Sequence, residues 1–134
     1  MIAAPQGENK MRFICVACIA FFSTSVFANA DSKTSKFTVK IGEKIRIQIM
    51  YNVDTETCVG DRIPPKPSVT SEPKLGSLDY TSGIAPPTQC PNIKINANFA
   101  SYQAGTITGT DRFKIKWRSS SGYIFYRSYI INIK

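Results

Sequence analysis

Residues 105–129, GTITGTDRFKIKWRSSSGYIFYRSY, decide the fold. Phe113, Ile115 and Trp117 alternate with Arg112, Lys114, Lys116 and Arg118. A period of two over that length belongs to a strand with one buried and one wet face. The run SSSG at 119–122 supplies turn residues, and YIFYRSYIINI returns as a β-branched and aromatic strand. The stretch therefore predicts a β-hairpin with an apolar face and a basic face. The candidate basic face comprises Arg112, Lys114, Lys116 and Arg118, with Arg127, Tyr123 and Tyr126 as neighbours from the returning strand.

Working outward, residues 37–53 (FTVKIGEKIRIQIMYNV) give two strand signals around a turn at Gly42. In the second, Ile45, Ile47, Ile49 and Tyr51 alternate with Lys44, Arg46 and Gln48, which puts the four apolar side chains on one face. Residues 31–36 read as a polar, frayed leader. Seven of the chain's eight prolines fall between residues 64 and 91. Such density forbids helix and limits strands to short edge pieces, here SVTSEP (68–73) and GSLDY (76–80). Ile93, Ile95 and Ala97 mark one face of a further alternating segment, and SYQAGTITG (101–109) reads as a turn-rich approach to the hairpin. Helical periodicity is missing throughout. Short strands with regularly spaced turn signals predict an all-β, immunoglobulin-like antiparallel β-sandwich of about seven strands.

The N-terminus predicts export. MRFICVACIAFFSTSVFANA opens at Met11 with Arg12, continues through an apolar run at 13–22 and ends in Ala28-Asn29-Ala30. Small residues at −3 and −1 fit signal peptidase, so the cut is placed between Ala30 and Asp31. The apolar run is too short to span a bilayer, which needs about twenty residues. Cys15 and Cys18 lie inside it, and residues 1–10 read as an upstream start. Residues 1–30 are then an extension and signal peptide, and residues 31–134 form one domain, periplasmic or secreted, without a transmembrane segment after cleavage. In an exported chain the two remaining cysteines, Cys58 and Cys90, form one disulfide. Closing that loop stabilises by roughly 3–4 kcal/mol in the chain-entropy picture.

Two motifs carry a family resemblance. Residues 73–78 (PKLGSL) contribute Pro73, Gly76 and Leu78, and residues 105–115 (GTITGTDRFKI) contribute Gly109, Thr110, Asp111, Phe113 and Ile115. With these the chain resembles the bacterial immunoglobulin-like and cadherin-like domains of exported and surface proteins, whose P-x-x-G-x-[LV] turn and G-T-D-x-F-x-[YI] strand start it shares. The resemblance implies the sandwich fold and leaves the role open, because that architecture hosts many functions. The acidic loop of those domains appears here only as NVDTET (52–57). The motifs also make local sense. Gly109 permits a backbone angle closed to other residues, Thr110 and Asp111 can accept turn N–H groups, and Phe113 plugs the core. Asp111 is read as structural.

The chain has no histidine, which removes His-based triads, general bases and zinc sites. No glycine-rich phosphate loop precedes a helix. Asp54, Glu56 and Asp61 offer hard oxygen ligands of the kind calcium takes, yet three acids in a loop are more often simply solvated. The reading is a non-enzyme without cofactor or metal.

Removing Lys10, Arg12 and Glu8 leaves 15 basic and 8 acidic residues, a net charge of +7 for residues 31–134. That balance favours an acidic partner. Three roles are compatible: a binding domain for another envelope or extracellular protein, a periplasmic inhibitor or immunity-type protein that plugs a hydrolase, and a binder of an anionic polymer. Sequence-specific nucleic-acid binding has no motif behind it. For the first and third roles the basic face is the candidate surface, although alternating Lys and Arg also deter edge-to-edge aggregation. For the second, the candidate is the proline-rich loop Ile63, Pro64, Pro65, Lys66 and Pro67.

Overall fold

The computed structural model describes residues 30–134, so the signal-peptide reading lies outside the described residues apart from Ala30. Among the described residues nine strands form: β1 (Ala30–Val39), β2 (Lys44–Met50), β3 (Val53–Asp54), β4 (Val59–Gly60), β5 (Ser68–Ser71), β6 (Gly76–Ala85), β7 (Ile95–Ala104), β8 (Gly109–Arg118) and β9 (Ile124–Ile133). Seven of them build two sheets, in the orders β1-β9-β8-β5 and β2-β7-β6, and β3 pairs with β4 as a small extra hairpin. The count exceeds the seven expected because of that hairpin. The two sheets form a β-sandwich in which the first strand joins the sheet of the last, and that one pair is parallel where an all-antiparallel sandwich was expected. Among the described residues no helix is long and apolar enough to cross a membrane.

The two sheets face one another across a core of Ile47, Met50, Ala100, Tyr102 and Ala104 on one side and Val39, Phe113, Ile115, Trp117, Tyr129, Ile131 and Ile133 on the other. A stack of rings runs through it. Phe37 lies 6.4 Å from Tyr129, Tyr129 5.0 Å from Phe113, and Phe113 5.4 Å from Tyr102. The hydroxyls at its polar ends are satisfied: Tyr129 donates to the Gln48 side chain at 3.0 Å and Tyr102 to Asp111 at 2.7 Å. Buried phenols without such partners would each lose the hydrogen bonds they make to water.

The β8–β9 hairpin forms as read, from Gly109↔Ile133 to Arg118↔Ile124. Its turn is closed by the Ser119 and Gly122 amides, and Gly122 sits at φ 86°. Three expectations are corrected. The leader at 31–36 is a strand: β1 pairs in parallel with β9 from Ala30↔Ile124 to Val39↔Ile133. Its polar side chains hid it, because the pairing is made by main-chain groups and only Phe37 and Val39 reach the core. Second, Ile45, Ile47, Ile49 and Tyr51 do not share a face. The β2–β7 register shifts between Arg46 and Gln48, and past that bulge Met50 turns to the central core while Ile49 and Tyr51 pack on the far side of the sheet with Ala85, Ala97 and Phe99. Third, β6 is not a short piece. It runs ten residues along β7 as an edge strand, and SYQA is the end of β7 rather than a turn.

Candidate functional site

The two resemblance motifs meet at one buried carboxylate. Asp111, only 1 % exposed, accepts the N–H groups of Lys74 and Leu75 at 2.9 Å each, its neighbour Arg112 N–H at 2.9 Å and the Tyr102 hydroxyl. The Pro73–Gly76 turn is thus fastened to the start of β8. Gly76 follows at once because a Cβ there would overlap the Tyr102 ring. Gly109 has φ 145°, a conformation side chains disfavour, and it redirects the chain into β8. Thr110 donates to Asn132 across the hairpin, at 3.0 Å, rather than capping the turn, and Phe113 fills the core at 1 % exposure. Burial, then the Asp111 carboxylate, pushes the Tyr102 phenol well above its ordinary range. Both oxygens of the Asp111 carboxylate are thus occupied by contacts within the fold.

The disulfide Cys58–Cys90 is present, with Cα atoms 5.8 Å apart. It joins the long β2–β5 connection to the β6–β7 connection, which lie at the same end of the sandwich. Asp54 starts the turn that presents Cys58, accepting N–H groups from Glu56 and Thr57 at 2.9 and 3.2 Å, bonds that hold its carboxyl below the usual range. Asp61 takes a hydrogen bond from Asn52 at 2.9 Å. Among the described residues no group of three acids, cysteines or histidines is placed to hold a metal.

The same end carries the proline-rich loop, and β7 grips it. The Asn96 amide donates to the Arg62 carbonyl at 2.9 Å, and buried Asn98 donates to the Pro65 carbonyl at 2.8 Å and the Pro64 carbonyl at 3.4 Å. The loop carbonyls at 62, 64 and 65 are thereby fixed, Pro65 is buried, and Ile63 projects with 75 % of its surface exposed. Val59 and Ile84 are also exposed nearby, the first lining a shallow depression with Arg62 and Asn96, the second lining its neighbour with the same two residues. Lys66 and Pro67 lead from this loop into β5.

Five of the seven residues expected on the basic face share it. Arg112, Lys114, Lys116 and Arg118 point outward from β8, alternating with buried Phe113, Ile115 and Trp117. Tyr126 stands opposite Lys116 and shares their face. Arg127 does not. It pairs in register with buried Ile115, turns to the inner side, lies 5.3 Å over Trp117 and 5.5 Å over Phe125, and binds the Asp31 carboxylate at 2.8 Å. Tyr123 likewise packs on Phe125, ring centres 4.9 Å apart. Sequence reasoning missed Lys36 and Lys66 as contributors. Lys36 shares the outer face through the register Lys36↔Ile130↔Arg112, and Lys66 lines a depression of about 260 Å³ with Ser68, Lys116, Trp117, Arg118 and Ile124. The pairing of β1 was the missing signal for Lys36.

No protein-family model and no curated protein matches the sequence. Among solved structures the chain is similar to the solution structure of amebosin, at 17% identity and TM-score 0.41, covering 79% of this chain and 98% of that one. It is also similar to PbICP-C, solved in complex with falcipain-2, at 9% identity and TM-score 0.37, covering 79% and 92%. Likeness at this level transfers neither protein's activity to this chain.

Proposed function

We propose that this is an exported, non-catalytic binding domain that engages another protein of the envelope or the extracellular space through the disulfide-clamped end of the sandwich. The observation that carries the reading is Ile63, three-quarters exposed on a loop whose carbonyls are held by Asn96 and Asn98. With exposed Val59 and Ile84 around the same Arg62–Asn96 corner, Ile63 offers apolar surface whose burial by a partner would favour binding. Because the loop is ordered before contact, binding loses little conformational entropy.

The isolation of Ile63 among prolines favours a second, narrower reading, a plug for the cleft of a hydrolase. The discriminating experiment is capture from an envelope extract with the wild type, Ile63→Arg and Lys114→Glu/Lys116→Glu, read by mass spectrometry. A single protein recovered by the wild type and the lysine variant but lost by Ile63→Arg supports the loop as the site. Recovery by Ile63→Arg at wild-type level overturns it. If the recovered protein is a hydrolase, stoichiometric inhibition by the wild type and none by Ile63→Arg selects the narrower reading.

A further inference from the structure

The outer face of the four-stranded sheet asks for an explanation independent of the loop. Its outward register positions carry Lys36 on β1, Ile124, Tyr126, Ser128 and Ile130 on β9, and Arg112, Lys114, Lys116 and Arg118 on β8. No carboxylate occupies any of them. The two ion pairs among the described residues, Lys44–Asp79 and Arg127–Asp31, lie elsewhere. Like charges at alternate positions of one strand repel, and across-strand acids would relieve them at no loss of solubility. Protection of an exposed edge does not account for the row either. In the order β1-β9-β8-β5, β8 is paired with β9 along its whole length and with β5 across Lys114–Lys116, so the two central lysines of the row sit on backbone that has no open edge to guard.

We propose that this face binds a linear anionic polysaccharide, laid along β8. The four cations form a straight row spanning roughly 20 Å, at about 6.6–7 Å per residue pair. Lys66 lies beside the Arg118 end of the row, and Lys36 flanks the Arg112 end two strands away. A row of cations this long and narrow complements an extended chain carrying regularly spaced sulfates or carboxylates. Arg supplies forked donors for planar oxyanions, and Lys supplies compact charge. Tyr126, 39 % exposed beside Lys116, gives one aromatic platform with Ile124 and Ile130 to either side along the strand. A single-stranded nucleic acid is served by successive aromatic platforms on which its bases stack. One ring among cations suits sugars, and an exported, disulfide-bonded domain meets glycans rather than nucleic acids.

The test measures affinity of the exported, oxidised protein for heparin and for alginate, a sulfated and a carboxylated probe, across a salt series, with a single-stranded DNA oligonucleotide as comparison. With four to five contacts, log K falls against log salt with a slope of about −3, taking roughly 0.7 counterions released per contact. Lys114→Glu/Lys116→Glu lowers affinity at low salt by about tenfold or more and flattens the slope. Lys33→Glu/Lys94→Glu makes the same change in net charge away from the face and leaves the slope near wild type. Equal losses in the two double variants would reduce the effect to net charge and overturn the site. No binding of either glycan at low salt overturns it too, and an oligonucleotide held more tightly than both glycans overturns the polysaccharide assignment. Thermal unfolding of each variant confirms that binding is read on folded protein. Which of heparin and alginate binds better tells sulfate from carboxylate as the recognised group.

Discussion

Asp111→Asn tests the claim that one carboxylate fastens the Pro73–Gly76 turn to β8. In the wild type Oδ1 accepts Lys74 and Arg112 N–H, and Oδ2 accepts Leu75 N–H and the Tyr102 hydroxyl. The isosteric amide keeps one acceptor. Its best orientation places the oxygen toward Lys74 and Arg112, and its NH₂ can donate to a rotated Tyr102 hydroxyl. The Leu75 N–H then faces another donor and is orphaned. One orphaned donor costs about 1–3 kcal/mol, and the surviving bonds lose their charge-assisted strength, so a destabilisation of about 2–3 kcal/mol follows. For a domain of this size that lowers Tm by about 10–20 °C. Asp111→Ala, which orphans Lys74 and Leu75 together and opens a cavity beside Tyr102, loses about 4 kcal/mol. Urea unfolding of the oxidised protein, followed by tryptophan fluorescence and by circular dichroism, gives both values. A cycle with Tyr102→Phe gives a coupling of about 1–2 kcal/mol between the two side chains. Asp111→Asn within about 0.5 kcal/mol of wild type, or strict additivity with Tyr102→Phe, would refute the assignment.

Other outcomes follow from the same contacts. Replacing Cys58 and Cys90 by alanine lowers stability by roughly 3–4 kcal/mol and frees the β3–β4 end, as urea midpoints and hydrogen exchange would show. Asn98→Ala removes the donor to the Pro64 and Pro65 carbonyls, costing about 1–3 kcal/mol and raising amide exchange around residues 62–67. Arg127→Ala loses the cation over Trp117 and Phe125 and a half-exposed ion pair with Asp31, about 1 kcal/mol together, with fraying of β1 visible by exchange at 30–36. Burial raises the Tyr102 and Tyr129 phenols above the ordinary value of 10.0. A group whose folded pKa is raised contributes fully below its unfolded pKa, so stability falls as pH climbs above about 10, and Tyr102→Phe weakens that dependence.

The hairpin, the disulfide and the structural role of Asp111 were legible in the sequence because each rests on a local or binary rule. Alternation fixes the faces of β8, the two cysteines of residues 30–134 have only one another to pair with, and a Gly-Thr-Asp strand start needs an acceptor. The partner of that acceptor was not legible. Asp111 binds a turn 36–37 residues earlier, a pairing set by sheet topology rather than by spacing. Arg127 was misplaced by grouping it with the other cations. Parity through the turn contained the answer, since Phe125, Tyr129, Ile131 and Ile133 share its phase and point inward, whereas Tyr126 shares the phase of the basic row. The bulge at Arg46–Gln48 is invisible to alternation, because a bulge is what breaks it. β1 was lost for the converse reason. A strand added to an edge by main-chain bonds need not announce itself in side chains.

The two surfaces meet at one residue, and this constrains how they can work. Asn96 and Asn98 hold the loop carbonyls at 62, 64 and 65, while the next residue, Lys66, already borders the depression beside Lys116 and Arg118. A proline on each side, Pro65 and Pro67, fixes the backbone between Ile63 and Lys66 and limits relative movement of the two. A glycan occupying the row therefore leaves Ile63 presented at a fixed offset rather than on a tether. The same geometry makes Lys66 a poor probe, since changing it disturbs both surfaces. Ile63 and the Lys114/Lys116 pair are separable: one projects from a loop held by β7, the other from the middle of β8. If the domain were a single continuous patch, Ile63→Arg would weaken glycan binding as much as Lys114→Glu/Lys116→Glu. Two adjoining sites instead require that an added arginine at 63 leave the glycan affinity unchanged or slightly raised while protein capture is lost.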